Sequence, residues 1–185
     1  IAHRGLHSLS DGYPENSMGS IERALKKGYG IEIDVQMSSD RQAVVFHDYE
    51  LDRLTTEQGL ISKKKANQLV DINLLGSQTG IPLLTDVLDL VDGQQALLIE
   101  IKDQDGKLGR NVGELEREIA MLLKRYNGPV AIMSFNPNSV YEFRLFDHKY
   151  PVGLVTDSFN EIAWPNICNE ELVKLRNIES FDNVS

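Results

Sequence analysis

Three kinds of side chain in this sequence stand at spacings that could support hydrolysis of an anionic ester. They are carboxylates two residues apart, histidines that end short apolar runs, and cations beside both. Glu32 and Asp34 lie in the alternating run Ile31-Glu32-Ile33-Asp34-Val35-Gln36-Met37. A period-two strand places residues i and i+2 on one face about 6–7 Å apart, so both carboxylates emerge on the same side. Glu100 and Lys102 repeat that spacing at the end of a later β-rich run. If the two strands are parallel neighbours, a third acid and a cation reach the same rim. Three carboxylates that close repel and raise one another's pKa unless a cation sits among them, and an all-oxygen donor set suits Mg²⁺ or Ca²⁺ better than zinc. The competing explanation is plain charge compensation of strand-end acids by Arg4 and Lys102.

His3 in His3-Arg4-Gly5 and His47 in Phe46-His47-Asp48 both follow short apolar runs. Barrel enzymes assemble their sites at the C-terminal ends of strands, which is where these two histidines fall. Cleaving a phosphodiester requires one group that takes a proton from the nucleophile and one that gives a proton to the leaving oxygen. Imidazole does both near neutral pH, so a pair meets both needs. Arg4 offers a planar fork for phosphate oxygens, and Asp48 could orient an imidazole or a neighbouring loop. A single strand-end histidine is often just satisfied by backbone; the joint occurrence with three acids argues otherwise here. His7 and His148 lack such context and are expected in loops or on the surface. The Lys63-Lys64-Lys65 run is expected to be a solvated face, and Phe135, Phe159 and Trp164 to be packing residues.

Positioning these groups requires strands that share one rim, and the hydrophobic periodicity supplies them. Short β-rich runs alternate with amphipathic segments, the pattern of consecutive βα units around a parallel sheet. A helix begins at Met18 behind an Asn16 or Ser17 cap and stops at Gly28. Strands are expected over Ile31–Met37, Ala43–His47, Ala96–Ile101, Val130–Phe135 and Val152–Val155, with helices over Thr85–Val91, Val112–Tyr126, Ser139–Phe146 and Trp164–Leu175. With a stub at Ile1-Ala2 this makes about six strands, whereas a closed barrel of this kind has eight. The expectation is therefore one (β/α)₈ TIM barrel domain over 1–185, incomplete at both ends and with its last strands lying beyond this chain. Residues 49–80 break the rhythm and are expected to form an inserted subdomain. An open doubly wound sheet is the alternative, but it usually carries a Gly-rich phosphate loop after its first strand, and no such loop occurs.

The 185 residues are 41% hydrophobic, enough for one domain with a core. Nineteen Lys and Arg against 28 Asp and Glu give a net charge of -9, which argues against nucleic acid or anionic membrane as a partner. The single cysteine, Cys168, excludes an intrachain disulfide. No apolar run approaches the ~20 residues of a membrane span, and no signal-peptide pattern opens the chain. A cytoplasmic protein without stable membrane insertion is expected, with residues lost upstream of Ile1.

In order, His3-Arg4-Gly5, Pro14-Glu15-Asn16-Ser17, Gly30-Ile31-Glu32-Ile33-Asp34-Val35, Val45-Phe46-His47-Asp48, Leu51-Asp52-Arg53-Leu54-Thr55, Ile81-Pro82-Leu83-Leu84 and Leu98-Ile99-Glu100-Ile101-Lys102 resemble the motif series of the glycerophosphodiester phosphodiesterase family. No one motif is decisive, but the ordered set from Ile1 to about Phe135 is specific. The resemblance implies a (β/α)₈ barrel with a small insertion after the third strand. It further implies one divalent cation, Mg²⁺ or Ca²⁺, on Glu32, Asp34 and Glu100, and His3 and His47 as the general acid/base pair. Arg4 and Lys102 would hold the phosphate, Glu15 would stand near metal and substrate, and Ser134 would line the pocket. The implied reaction is hydrolysis of a small-molecule glycerophosphodiester to an alcohol and sn-glycerol 3-phosphate. Two alternatives remain at this level: a phospholipase D-like action on lysophospholipids with the same fold, and a noncatalytic barrel that binds a phosphorylated ligand or a protein partner.

Overall fold

The computed structural model describes residues 1–162 and 164–177. Helix α1 (Met18–Lys26) leads into strand β1 (Ile31–Met37), followed by β2 (Ala43–Val45), the short helix α2 (Ala66–Val70), α3 (Leu84–Val91), β3 (Leu97–Ile101), α4 (Glu114–Leu123), β4 (Val130–Ser134), α5 (Pro137–Phe146), β5 (Val152–Leu154) and α6 (Asn169–Arg176). The strands form one sheet in the order β2-β1-β3-β4-β5. Strands β1, β3, β4 and β5 run parallel to one another, and Ala2 adds a parallel bridge to Ile31 on the far side of β1. This is the fold of a (β/α) barrel. Among the described residues its sheet is not closed by hydrogen bonds.

Strand β1 is buried over its whole length because both of its faces are covered. Ile31, Ile33, Val35 and Met37 join the main core with Leu97, Ile99 and Ile101 of β3, Val130 and Ile132 of β4, and residues of α1, α3 and α4. The alternate positions Glu32, Asp34 and Gln36 are 3%, 1% and 3% exposed. Three polar side chains so deeply buried on one strand face need partners from elsewhere in the fold, and the candidate site is built from those partners. No helix among the described residues is long and apolar enough to cross a membrane.

The parallel series expected from the sequence is interrupted at β2, which pairs antiparallel with β1, Val45 opposite Val35 and Ala43 opposite Met37. The reason is the length of the connection. Residues 38–42 can close a hairpin, whereas a parallel crossover takes a dozen or more residues. Helix α6 likewise begins only at Asn169, behind Cys168 as N-cap, and not at Trp164. Pro165 steers the residue before it away from helical backbone, which keeps Trp164 out of a helix. Trp164 instead packs its ring 5.6 Å from Phe135 and 5.9 Å from Phe159, all three in a small apolar cluster.

Residues 49–80 hold α2 and a turn of 3₁₀ helix at Ile61–Lys63. Leu51, Leu54, Ile61, Ala66, Leu69 and Leu74 from this stretch make a second core with Val44, Phe46 and Ile81.

Candidate active site

Strand register sets the centre of the site. Asp34 lies directly opposite Glu100 in the parallel β1–β3 pair, and Glu32 is two residues before Asp34 on the same face. One carboxylate oxygen each from Glu32, Asp34 and Glu100 falls within 4.8 Å of the others. Burial first, then the charges of Asp34 and Glu100, push the Glu32 carboxyl up to about 7.

Several contacts restrain this repulsion. Lys102 Nζ donates to Glu100 Oε1 at 2.8 Å and lies 3.5 Å from Asp34 Oδ1. Arg4 Nε is 3.4 Å from Asp34 Oδ2, and the Arg4 backbone N–H donates to Glu32 Oε2 at 2.8 Å. Asn16, fully buried, donates from Nδ2 to Asp34 Oδ2 at 2.8 Å and accepts from the Asp34 backbone N–H at 3.2 Å. The compensation is incomplete, because Glu32 Oε1 is buried without any hydrogen-bond partner. A buried, unpartnered carboxylate oxygen costs about 1–3 kcal/mol or more. An orphan of this kind inside a cluster of acids fits a cation-binding position, and the all-oxygen donor set fits a hard divalent ion.

The loop after Ala2 brings its groups to this centre through unusual backbone. Arg4 and Asn16 have φ of 56° and 55°, in the left-handed region that non-glycine residues seldom occupy. Gly5 follows at φ 78°, and a Cβ there would come within 2.4 Å of Ser20 Oγ and 2.9 Å of the Ser20 carbonyl carbon. The third position of His3-Arg4-Gly5 therefore has to be glycine. Ser17, not Asn16, caps α1 by accepting from Ser20 N, which leaves the Asn16 side chain for Asp34. His3 is largely exposed, with Nε2 3.8 Å from Glu32 Oε2. Its pKa is lowered by partial burial and then by Arg4, against the pull of Asp34, so the ring favours its neutral form.

His47 arrives from the opposite direction, at the end of the antiparallel β2. Phe46 N donates to Asp34 O, which aligns the return strand with the acids. Gln36 then donates from Nε2 to the carbonyls of Phe46 and Asp48, fastening the peptide on both sides of His47. His47 Nδ1 lies 2.6 Å from Asp48 Oδ1. Burial pushes the Asp48 carboxyl up, but hydrogen bonds from His47 and Arg53 outweigh it and hold the group well below the usual carboxylate range. An ionised Asp48 accepts from Nδ1–H, so Nε2 is the nitrogen that His47 presents outward. His47 is near enough for its charge to contribute to the lowering of His3.

Glu15 stands outside the acid cluster. It accepts from Arg4 Nη1 at 2.8 Å and is gripped by both terminal nitrogens of Arg53 at 3.0 and 2.7 Å. Burial raises its pKa, but Arg53 and then Arg4 more than reverse that, leaving it lowered. Ser134 is 1% exposed, and its Oγ donates to Ile101 O and accepts from Asn136 N. Asn16, Gln36 and Arg53 were not singled out as site residues from the sequence. Asn16 and Arg53 lie within the quoted motifs, and Gln36 continues the i, i+2 polar face of β1, which was the available signal.

The Glu15 and Asp48 carboxyls titrate lower folded than unfolded. Their ionisation therefore favours the folded state above their unfolded pKa values of about 4, and that benefit is lost as pH falls toward the folded values. Arg53 is half exposed, so its share is about 1 kcal/mol, or about 2–4 °C in a domain of this size. Arg53→Met is expected to lower Tm by that amount at pH 7, with the gap to wild type narrowing as pH falls below about 4. Calorimetric scans across pH check this, and a gap that widens toward acid would contradict it.

The parallel strands β1, β3, β4 and β5, with buried acids on β1 and β3 and two histidines in the segments beside them, place the chain in the class of (β/α) barrels. It belongs to the glycerophosphoryl diester phosphodiesterase family, whose model matches residues 3–181. The chain is 33% identical over 166 residues to the Bacillus subtilis protein YhdW, and 30% identical over 164 residues to a glycerophosphodiester phosphodiesterase of Caldanaerobacter subterraneus. Each match covers 84% of this chain and 65% of the relative, so the chain spans slightly less than two thirds of their length. Among solved structures it is similar to an Oleispira antarctica phosphodiesterase in complex with its product sn-glycerol-3-phosphate, with a TM-score of 0.75 and 27% identity over 95% of this chain and 71% of that one.

Proposed function

We propose that this chain carries the active site of a divalent-cation-dependent phosphodiesterase that hydrolyses glycerophosphodiesters to an alcohol and sn-glycerol 3-phosphate. The observation that carries the proposal is the partnerless Glu32 Oε1 inside the Glu32–Asp34–Glu100 cluster, next to His3. The contacts of Arg4 and Lys102 with the cluster do not reach this oxygen, and Arg4 Nε is itself buried without a hydrogen-bond partner. Glu32, Asp34 and Glu100 would hold Mg²⁺ or Ca²⁺. When bound, the ion supplies electrostatic stabilisation of the charge that builds on the phosphoryl oxygens.

The remaining chemistry is assigned to this chain's own side chains. His3 and His47 form the acid/base pair: one accepts the proton of the nucleophile, water or the glycerol's own hydroxyl, and the other protonates the leaving oxygen. Arg4 and Lys102 sit at the edge of the acids and face the phosphate. Glu15 acts through Arg4, whose guanidinium it fastens. Residues 49–80, with their own apolar cluster, serve as an inserted unit that delivers Arg53 to the site. That the Oleispira antarctica phosphodiesterase binds sn-glycerol-3-phosphate supports the substrate class.

The test is release of the headgroup alcohol by the purified full-length protein with Mg²⁺ or Ca²⁺, with sn-glycerol 3-phosphate as the second product from a glycerophosphodiester. Glycerophosphocholine and glycerophosphoethanolamine are expected to be cleaved faster than lysophosphatidylcholine. No release from either glycerophosphodiester with either ion refutes the proposal, and preferential cleavage of the lysolipid shifts it to a lipid-headgroup hydrolase.

A further inference from the structure

We infer that Arg53 is a positioning residue that locks the His47 imidazole, through Asp48, to the loop that holds Arg4. The inference rests on the roles just proposed for His47 and Arg4. The Arg53 guanidinium stands between two carboxylates and forks onto each. Nε donates to Asp48 Oδ2 at 2.6 Å and Nη2 to Asp48 Oδ1 at 2.8 Å, while Nη1 donates to Glu15 Oε2 at 3.0 Å and Nη2 to Glu15 Oε1 at 2.7 Å. Asp48 Oδ1 is the same oxygen that meets His47 Nδ1, and Glu15 Oε1 the same oxygen that accepts from Arg4 Nη1. A continuous chain of hydrogen bonds therefore runs His47–Asp48–Arg53–Glu15–Arg4. It crosses from the return strand to the loop before α1, two segments with no helix or strand in common.

Three features separate this arrangement from an ordinary surface ion pair. Every guanidinium nitrogen of Arg53 is engaged with a carboxylate, so the side chain is committed to the protein and is a poor candidate for direct phosphate contact. The turn that carries it is anchored on both sides, by Leu51, fully buried, and Leu54, 6% exposed, and Thr55 Oγ1 ties back to Leu51 O. A rigid base thus holds a half-exposed head group. Finally, Glu15 and Asp48 share Nη2, and without the guanidinium these two anions would repel at close range and turn both His47 and Arg4 away from their present orientations. A lysine could not replace it, because one ammonium cannot fork onto two carboxylates at once.

The test uses Arg53→Met and Arg53→Lys in the full-length protein, each also combined with Asp48→Asn. Loss of a group that orients a functional side chain typically costs ~10–100-fold. Arg53→Met is expected to lower kcat by ~10–100-fold with a smaller rise in KM, and Arg53→Lys to recover little of it. In the Asp48→Asn background the part of the loss that runs through His47 should be gone, so the same change should cost several-fold less than in wild type, the remainder coming through Glu15 and Arg4. Independently of turnover, nitrogen NMR of the His47 ring, assigned by comparison with His47→Gln, should show a single Nδ1–H tautomer in wild type and a tautomer mixture in Arg53→Met. Ring signals unchanged by Arg53→Met overturn the inference, as does an equal loss in both backgrounds, which would mean that Arg53 does not act through Asp48 and His47. A wild type inactive on glycerophosphodiesters would end the functional proposal and leave the NMR comparison to decide on Arg53.

Discussion

Replacing His47 by alanine is expected to cut turnover of glycerophosphocholine by ~10²–10⁴-fold, the usual contribution of a general acid or base. The imidazole is committed through Nδ1 to an ionised Asp48 and held between two carbonyls bound by Gln36, so its tautomer and direction are set before substrate arrives. No other described group is fixed in the same way beside the acids, and the loss should not be made up by a neighbour. His47 is partly exposed and lies outside both large apolar cores, which predicts a Tm lowered by only a few degrees, from the lost contact with Asp48. Comparing an alkyl with a p-nitrophenyl leaving group assigns the role. A deficit that shrinks on the p-nitrophenyl ester marks His47 as the proton donor to the leaving oxygen, and a constant deficit marks it as the base. A variant within about fivefold of wild type on both esters would remove His47 from the mechanism.

Removal of divalent cations is expected to have the second large effect. Chelation should lower turnover by at least ~100-fold, equivalent to about 3 kcal/mol of lost transition-state stabilisation, and Mg²⁺ or Ca²⁺ should restore it. A readout free of catalysis is available because an ion that binds only the folded state raises its stability. Adding the ion to chelated protein should raise Tm, and Asp34→Asn should abolish the rise, since Asp34 is the acid that Asn16, Arg4 and Lys102 all hold in place. Full activity in excess chelator together with an ion-independent Tm would leave Glu32 Oε1 without an explanation and refute the cation site.

Local signals were sufficient wherever one element decides the outcome. The alternation of Ile31 to Met37 puts Glu32, Asp34 and Gln36 on one face whatever packs around the strand. Ser17 caps α1 because the residues after it have helical spacing and it can accept from Ser20 N. The strands at Leu97, Val130 and Val152 begin and end within a residue or two of where the apolar runs place them. Nothing within Ala43–Val45 itself tells a parallel stave from a hairpin return, and only the five-residue connection before it does. Arg53 is illegible in the sequence because a guanidinium on a polar turn has no local pattern. Its meaning lies in Asp48 and Glu15, which are 5 and 38 residues away.

What the sequence determined by itself was the inventory: which side chains share a strand face, which histidines follow strands, and which ordered motifs resemble a known family. These follow from backbone periods that operate over a few residues. The tertiary structure alone decided which of those groups meet. Parallel register set Asp34 opposite Glu100, a left-handed Arg4 turned its own N–H onto Glu32, and an antiparallel return carried His47 back beside the acids. Those placements depend on contacts between segments far apart in the chain, and they are settled by burial and hydrogen-bond satisfaction over the whole fold rather than by any local preference.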